Sequence, residues 1–377
     1  MSIKSKAAVL HKIGLPRPYS KSRPITIEEV ELDPPGPNEV LVKVAAAGLC
    51  HSDLSVVNGN RPKKVPILIG HEGAGVIEEL GEGVSDFQIG DHVVFVFVAS
   101  CGNCIPCKEG KPSLCEPGLA TSSAGTLLSG KKRIRLKENY IDHHVGVSCF
   151  SEYTVVSSKS IVKVDKNLPL NEAALLGCAV ITGAGAVFNT AKIRVGSKVA
   201  VFGLGGTGLA AIMGAKAAGA SKIIGIDILD NKLNLARELG ADLLIKGKDV
   251  NLIDKIKNFT KGGVDFSFEC VGSEKTMELA YKCLKRGGSL ISSGLSNPSK
   301  SFSIQHVDLV AGEKSIKGSY LGSCVPARDI PAYIDLYKAG RLPINNLMTD
   351  AIKLEQINES FDKLADGESV RQIINFF

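Results

Sequence analysis

Two hydrophobic rhythms divide this chain. Up to about residue 180, apolar residues come in short runs such as Val40-Leu41-Val42-Lys43-Val44, Gly75-Val76-Ile77 and His92-Val93-Val94-Phe95-Val96. Pro34-Pro35-Gly36-Pro37 and Gly81-Glu82-Gly83 separate them. Short β-like runs bounded by turn residues predict an antiparallel, barrel-like domain. From about 181 the rhythm changes. Lys198–Phe202, Ile223–Ile226, Val264–Phe268 and Ser289–Ser292 read as strands, and Leu209–Ala220 and Asn231–Leu239 read as helices between them. Strands alternating with helices predict a doubly wound parallel sheet. After about 322 the alternation stops, and Pro326, Pro331 and Pro343 punctuate the remainder of the chain. The expected division is 1–180 for a mainly β domain, 181–322 for the parallel-sheet domain, and 323–377 returning to the first.

The 377 residues exceed what one hydrophobic core normally fills, which agrees with two domains. The longest uncharged stretch, Ala173 to Ala191, contains Gly177, Thr182, Gly183, Gly185, Asn189 and Thr190. That is too polar for a membrane span and predicts a buried helix at a domain junction. The basic cluster Lys131-Lys132-Arg133-Ile134-Arg135 lies in a Gly/Ser-rich segment between Pro117 and Gly146. It reads first as a solvated surface loop and second as a subunit-contact insertion. A formal charge of +6 with scattered lysines leaves no stripe for nucleic acid. The opening MSIKSKAAVLHKIG lacks an apolar leader, so a cytoplasmic protein is expected.

Ten cysteines in such a chain point to metal more than to disulfides. Cys101, Cys104, Cys107 and Cys115 follow the spacing C-x2-C-x2-C-x7-C. Four clustered thiolates make a closed tetrahedral zinc site. An iron–sulfur reading shares the first three positions, but its fourth cysteine follows after three residues and precedes a proline. Cys149, Cys270, Cys283 and Cys324 have no ligand spacing and read as small buried apolar residues. The motif Gly203-x-Gly205-x-x-Gly208 follows a predicted strand and opens a helix, and Asp227 ends the next strand nineteen residues later. Glycines there let the backbone approach a pyrophosphate, and the aspartate takes ribose hydroxyls and repels a 2′-phosphate. NAD is expected in preference to NADP. Cys50-His51-Ser52-Asp53 and Gly70-His71-Glu72 hold further ligand types, but spacing alone does not tie Cys50, His71 and Cys178 together.

Those motifs, together with Gly70-His71-Glu72-Gly73-Ala74-Gly75, Gly177-Cys178 and Gly203-Leu204-Gly205-Gly206-Thr207-Gly208, closely resemble the zinc-dependent medium-chain alcohol dehydrogenases over essentially the whole chain. The resemblance implies a GroES-like catalytic domain and a Rossmann domain, with an active site in the cleft between them. It implies two zinc ions, one held by Cys50, His71 and Cys178 for catalysis and one held by the four-cysteine run for structure. Glu72 would approach the catalytic metal, Asp53 would orient the ligand imidazole, and Ser52 would hydrogen-bond the alcohol. His51 and Arg371 would contact cofactor phosphates, Lys232 would lie beside Asp227 at the ribose, and Gly206 and Thr207 would complete the glycine turn. Thr182 and Phe97 would line the nicotinamide and substrate pockets. The implied reaction is reversible hydride transfer between a primary or secondary alcohol and NAD, in a homo-oligomer more like the dimeric branch than the tetrameric one.

Three departures from the family pattern involve four positions. Ser55 stands where the proton relay usually ends in histidine, and Thr207 replaces a valine. Arg61 and Leu119 stand where the glutathione-dependent formaldehyde branch usually has an acid and an arginine, which argues against that substrate. The competing readings are that thiol-adduct formaldehyde dehydrogenase and a zinc-stabilised NAD-binding protein without catalysis.

Overall fold

The strand Glu39–Gly48 is buried along almost all of its length because it is a sheet interior. It pairs with Glu72–Leu80, Tyr153–Ser157 and Arg371–Asn375, all antiparallel. Its valines and alanines suit a strand covered on both faces. The computed structural model describes residues 2–377, which divide into two compact units. The first unit contains 2–178, 325–331 and 348–377, and the second 179–324 and 332–347.

In the first unit the expected barrel is two sheets of six and seven strands, mostly antiparallel, with parallel pairs at Ile67–Leu68 with Asp142–His143 and at Met348–Ile352 with Arg371–Asn375. One apolar cluster includes Leu10, Val42, Ile69, Phe95, Phe150 and Phe361. A second contains Val9, Leu32, Leu68, Ile134 and Val155. The register of the seven-stranded sheet matters most. Gly48 lies opposite Glu72 on one side and Ile373 on the other, so the ends of three strands meet where the chain runs on into Cys50.

The second unit is a six-stranded parallel sheet in the order Leu243–Lys246, Lys222–Asp227, Lys198–Phe202, Val264–Glu269, Leu284–Ser292, Ser315–Gly318. Numbered along the chain that is 3-2-1-4-5-6, the doubly wound order whose switch point lies between the first and fourth strands. The glycine turn leaves the first strand at that point. A Cβ on Gly208 would fall 1.8 Å from the Gly203 carbonyl oxygen, so only glycine lets the helix Gly206–Ala217 begin there. That helix starts three residues before its predicted position, because small residues let the turn wind straight into it.

Three expectations change. The stretch 173–191 is not one helix: a 3₁₀ turn Ala174–Gly177 ends at Cys178, and helix Ala179–Gly185 continues as a π-helical stretch Ala186–Ala191. The bend is 50°, and no single helix among the described residues is long and apolar enough to cross a membrane. Cys178 causes the break, with φ −138° and ψ −74° in place of helical angles. The tail 323–377 does not rejoin the first unit in one piece, since 332–347 belongs to the second. There Tyr333 packs against Phe188 with ring centroids 5.8 Å apart, and Leu342, Ile344 and Leu347 are fully buried. Finally, the basic cluster is no free loop. Lys132 pairs with Asp142, Arg133 with the buried Glu39 at 2.7 Å, and Arg135 with Asp33 and Glu31 at 3.0 Å each. Ile134–Leu136 thereby joins the six-stranded sheet as a strand.

Candidate active site

Cys50 precedes the short helix His51–Val57 and caps it. Its amide donates to Asp53 Oδ2 at 3.3 Å, which turns the Asp53 side chain inward. Asp53 Oδ1 lies 2.8 Å from His71 Nδ1, so the carboxylate accepts that N–H and directs Nε2 the other way. His71 Nε2 is then 3.3 Å from Cys178 Sγ, and Cys178 Sγ is 3.9 Å from Cys50 Sγ. The three donor atoms lie within 4.8 Å of one another, and all three residues are buried. A tetrahedral zinc with Zn–S near 2.3 Å and Zn–N near 2.0 Å needs edges of about 3.8 Å between sulfurs and about 3.5 Å from sulfur to nitrogen. The donor set fits zinc in type and spacing.

The charge balance around this cluster is unusual for a protein interior. Asp53 and Glu72 are fully buried, and Arg371 is 3% exposed. Arg371 Nε donates to Glu72 Oε1 at 3.0 Å, and its Nη2 lies 3.6 Å from Cys50 Sγ. A Cβ on Gly48 would sit 2.4 Å from Glu72 Oε1, so glycine at 48 makes the room that carboxylate occupies. Burial pushes the Asp53 carboxyl up, but His71 beside it, aided by His144, outweighs that and holds it well below the usual carboxylate range. Burial raises Glu72, with Arg371 opposing. The hydrogen bond with Cys178 holds the Cys50 thiol well below its ordinary value, and Arg371 and His71 assist.

The other four cysteines meet as well. The sulfurs of Cys101, Cys104, Cys107 and Cys115 lie within 4.8 Å of one another. Backbone amides point at them: Cys104 N–H donates to Cys101 Sγ at 3.3 Å, Cys101 N–H to Cys115 Sγ at 3.2 Å, and Gly118 N–H to Cys115 Sγ at 3.4 Å. Such donors stabilise thiolates, and four thiolates at this spacing are the donor set of a closed zinc site. All ten cysteines are free of disulfides, and Cys149, Cys283 and Cys324 are buried while Cys270 is partly exposed.

The remaining predicted residues divide between the units. In the first, Ser52 is partly exposed and His51 is on the surface, while Phe97 meets the His71 ring edge-on at 5.3 Å and 89°. Ser55 Oγ donates back to the His51 carbonyl at 2.9 Å. In the second, Gly203, Gly205, Gly206, Thr207 and Gly208 form the turn at the switch point, and Asp227 ends the neighbouring strand. Asp227 has structural work too, since Oδ2 accepts the Leu204 N–H at 2.7 Å and Oδ1 the Leu229 N–H at 3.0 Å. Lys232 is buried on the helix Asp230–Leu239, and Thr182 is on Ala179–Gly185.

Sequence reasoning missed two residues, His144 and Glu269, and one further role, that of Arg371. Arg371, read only as a phosphate contact, is the counter-ion of the buried cluster. His144 is buried 3.3 Å from Asp53 Oδ1. Glu269 is fully buried and accepts the Val271 and Gly272 amides at 2.8 Å each, which fixes the turn after the fourth strand, against Gly203. The adjacent pair His143-His144 was the one available signal, and no spacing rule connects it with Asp53.

Comparison with known proteins gives the same picture. Residues 36–166 match the alcohol dehydrogenase GroES-like domain, and residues 206–339 match the zinc-binding dehydrogenase family. The alcohol dehydrogenase class-3 of Drosophila melanogaster is 39% identical over 95% of this chain and 96% of its own. An S-(hydroxymethyl)glutathione dehydrogenase of Synechocystis sp. is 38% identical over 99% and 100%. The crystal structure of benzyl alcohol dehydrogenase from Acinetobacter calcoaceticus superposes with a TM-score of 0.92 at 32% identity, covering 100% of both chains. With two domain families in the right order and relatives matched along their full length, the chain belongs to the zinc-dependent medium-chain alcohol dehydrogenases.

Proposed function

We propose that this protein is an NAD-dependent alcohol dehydrogenase in which Cys50, His71 and Cys178 hold the zinc at the reacting oxygen and the four-cysteine lobe holds a second. The observation that carries the reading is the three-donor cluster, with its histidine oriented by a buried carboxylate. When bound, zinc supplies Lewis-acid polarisation of an alcohol or carbonyl oxygen, and NAD supplies the hydride acceptor. The chain does the rest. Asp53 fixes the His71 tautomer and strengthens its donation. Arg371 offsets the negative charge that two thiolates and Glu72 would otherwise concentrate in a low-dielectric interior. Phe97, edge-on to His71, gives the substrate an apolar wall and keeps water from the reacting carbon. The turn Gly203–Gly208 brings backbone amides to the pyrophosphate, and Asp227 takes the adenosine ribose, with Lys232 beside it. Thr182 lines the nicotinamide side. Ser52 Oγ accepts the alcohol's hydrogen bond and passes a proton outward from its own hydroxyl, and His51 contacts the pyrophosphate.

The enzyme works in the cytoplasm as a homodimer on small alcohols, aldehydes or ketones. Ten cysteines with no disulfide among them support the first point, and the resemblance of the segment 117–146 to the dimeric branch supports the second. A second reading, oxidation of S-(hydroxymethyl)glutathione, is favoured by the name of one relative and opposed by Arg61 and Leu119. An NADH-coupled panel of primary, secondary and aromatic alcohols, with S-(hydroxymethyl)glutathione included, tests both. Failure of every alcohol on zinc-loaded enzyme overturns the first reading. A strong preference for the glutathione adduct replaces it with the second.

A further inference from the structure

His144 belongs to none of the roles above, yet it shares a carboxylate oxygen with the cluster histidine. His71 Nδ1 lies 2.8 Å from Asp53 Oδ1, and His144 Nδ1 lies 3.3 Å from that same oxygen. Asp53, His71 and His144 are 0%, 3% and 4% exposed, so the three polar side chains meet out of reach of bulk solvent. The His144 angle falls outside a well-formed hydrogen bond. The contact is therefore electrostatic and weaker than the bond to His71. The two imidazoles also meet edge-on, with centroids 5.7 Å apart and planes at 87°. With Phe97 edge-on as well, the His71 ring is bracketed by two aromatic neighbours.

The backbone that delivers His144 is strained and tightly laced. Val145 has φ +49° and Ser148 φ +53°, a region that branched and bulky residues rarely adopt, and Gly146 between them has φ +70°. The His144 amide donates to Ser148 Oγ at 2.8 Å, and that hydroxyl donates on to the Leu68 carbonyl at 2.8 Å. Cys149 N–H donates to Gly70 O and Phe150 N–H to Ile69 O, each at 3.1 Å. Residues 144–150 are thus tied to 68–70, the segment that leads directly into His71. Strain held against so many bonds marks a place the fold over-determines.

We infer that His144 is a positioning residue for the metal cluster: its ring, packed edge-on to His71 with Nδ1 3.3 Å from the shared Asp53 oxygen, fixes the carboxylate so that His71 Nε2 faces Cys50 and Cys178. The inference rests on the reading of those three residues as zinc ligands. The test uses the holoenzyme and three variants. His144→Phe keeps a ring and removes the nitrogen, His144→Leu removes both, and His144→Gln restores a donor. Zinc per chain, zinc affinity against a chelator and the d–d spectrum of cobalt at the Cys50 site are measured, with the four-cysteine zinc as internal reference. His144→Phe and His144→Leu should each lower affinity at the Cys50 site about 10- to 100-fold and shift the cobalt spectrum. His144→Gln should recover most of both, and the four-cysteine zinc should be unmoved in all three. Wild-type affinity and spectrum in His144→Phe overturn the inference, as does equal impairment of His144→Gln and His144→Leu, which would make the residue a space filler. If His144→Leu does not fold, the comparison of Phe with Gln decides. A wild type that binds one zinc per chain would overturn the ligand reading itself, and is told apart because it appears before any substitution.

Discussion

Arg371 and Glu72 form an ion pair of 3.0 Å in which both partners are buried, at 3% and 0% exposure. They come from strands almost 300 residues apart in sequence that flank Glu39–Gly48 on opposite sides. Removing one partner of such a pair leaves an uncompensated charge in the interior, a loss of about 3–5 kcal/mol. Arg371→Leu should therefore destabilise by that order, while Arg371→Leu with Glu72→Leu should cost markedly less than the two single changes together. Denaturant unfolding of the four proteins gives the coupling energy. Simple additivity would show the pair to be energetically idle.

The proposed pair of metal sites with different tasks predicts two different mutant phenotypes. Cys104→Ala opens the closed four-thiolate site, and the lobe 101–118 should lose order and overall stability should fall. Cys178→Ser should leave a protein with near-native melting that still binds NADH yet turns over at least 100-fold more slowly. Thermal melting, NADH fluorescence titration and steady-state rates separate the two. Matching loss of folding in both would mean that the Cys50 cluster is structural as well.

Asp227 has two partners in the protein before any cofactor arrives, the amides of Leu204 and Leu229. Asp227→Ser should then do two things. It should move the NAD/NADP ratio of kcat/KM toward NADP by tenfold or more, about 1.4 kcal/mol per tenfold. It should also raise KM for both cofactors, because the glycine turn loses a tether. An unchanged ratio with raised KM for both would leave only the tether.

Burial pushes the His143 imidazole down to about 3, with Lys132 and Arg133 assisting. Its folded pKa is below the unfolded value near 6.5, so between those values the unfolded chain binds the extra proton. Stability from this residue is fully present above about pH 6.5 and is lost as pH falls toward 3. His143→Gln should flatten the decline of melting temperature between pH 6.5 and 4 relative to wild type. Identical pH profiles would rule out this histidine as a source of the acid sensitivity.

Ser55 Oγ is engaged with the His51 carbonyl and cannot act as a base across the working pH range. Where proton release limits turnover, small buffer bases should accelerate alcohol oxidation by wild type. Ser55→His supplies a group that titrates near neutrality and should raise the low-buffer rate several-fold while removing that acceleration. A solvent isotope effect establishes beforehand that proton release limits the rate. Indifference of wild type to buffer concentration would then require another base.

Much of this protein was legible along the chain, and the physical reason is locality. The period of apolar residues located Lys198–Phe202 and Val264–Glu269 to within a residue, because strands in a parallel sheet are short apolar runs between turns. The clustering of Cys101, Cys104, Cys107 and Cys115 was readable because the four lie within fifteen residues, where spacing constrains geometry. The glycine turn was readable because backbone clearance is a property of single positions, as Gly208 against Gly203 shows. Cys50, His71 and Cys178 were tied together by family resemblance alone, and only the folded chain brings their donor atoms within 4.8 Å. Tertiary structure decided the rest. Register across Glu39–Gly48 put Glu72 beside Arg371, and a strained turn at 145–148 carried His144 to Asp53. The bend at Cys178 and the ion pairs that hold 132–135 in place likewise depend on partners far away in sequence. Periodicity and spacing report on neighbours in the chain, whereas a buried charge is placed by whichever distant strand supplies its partner.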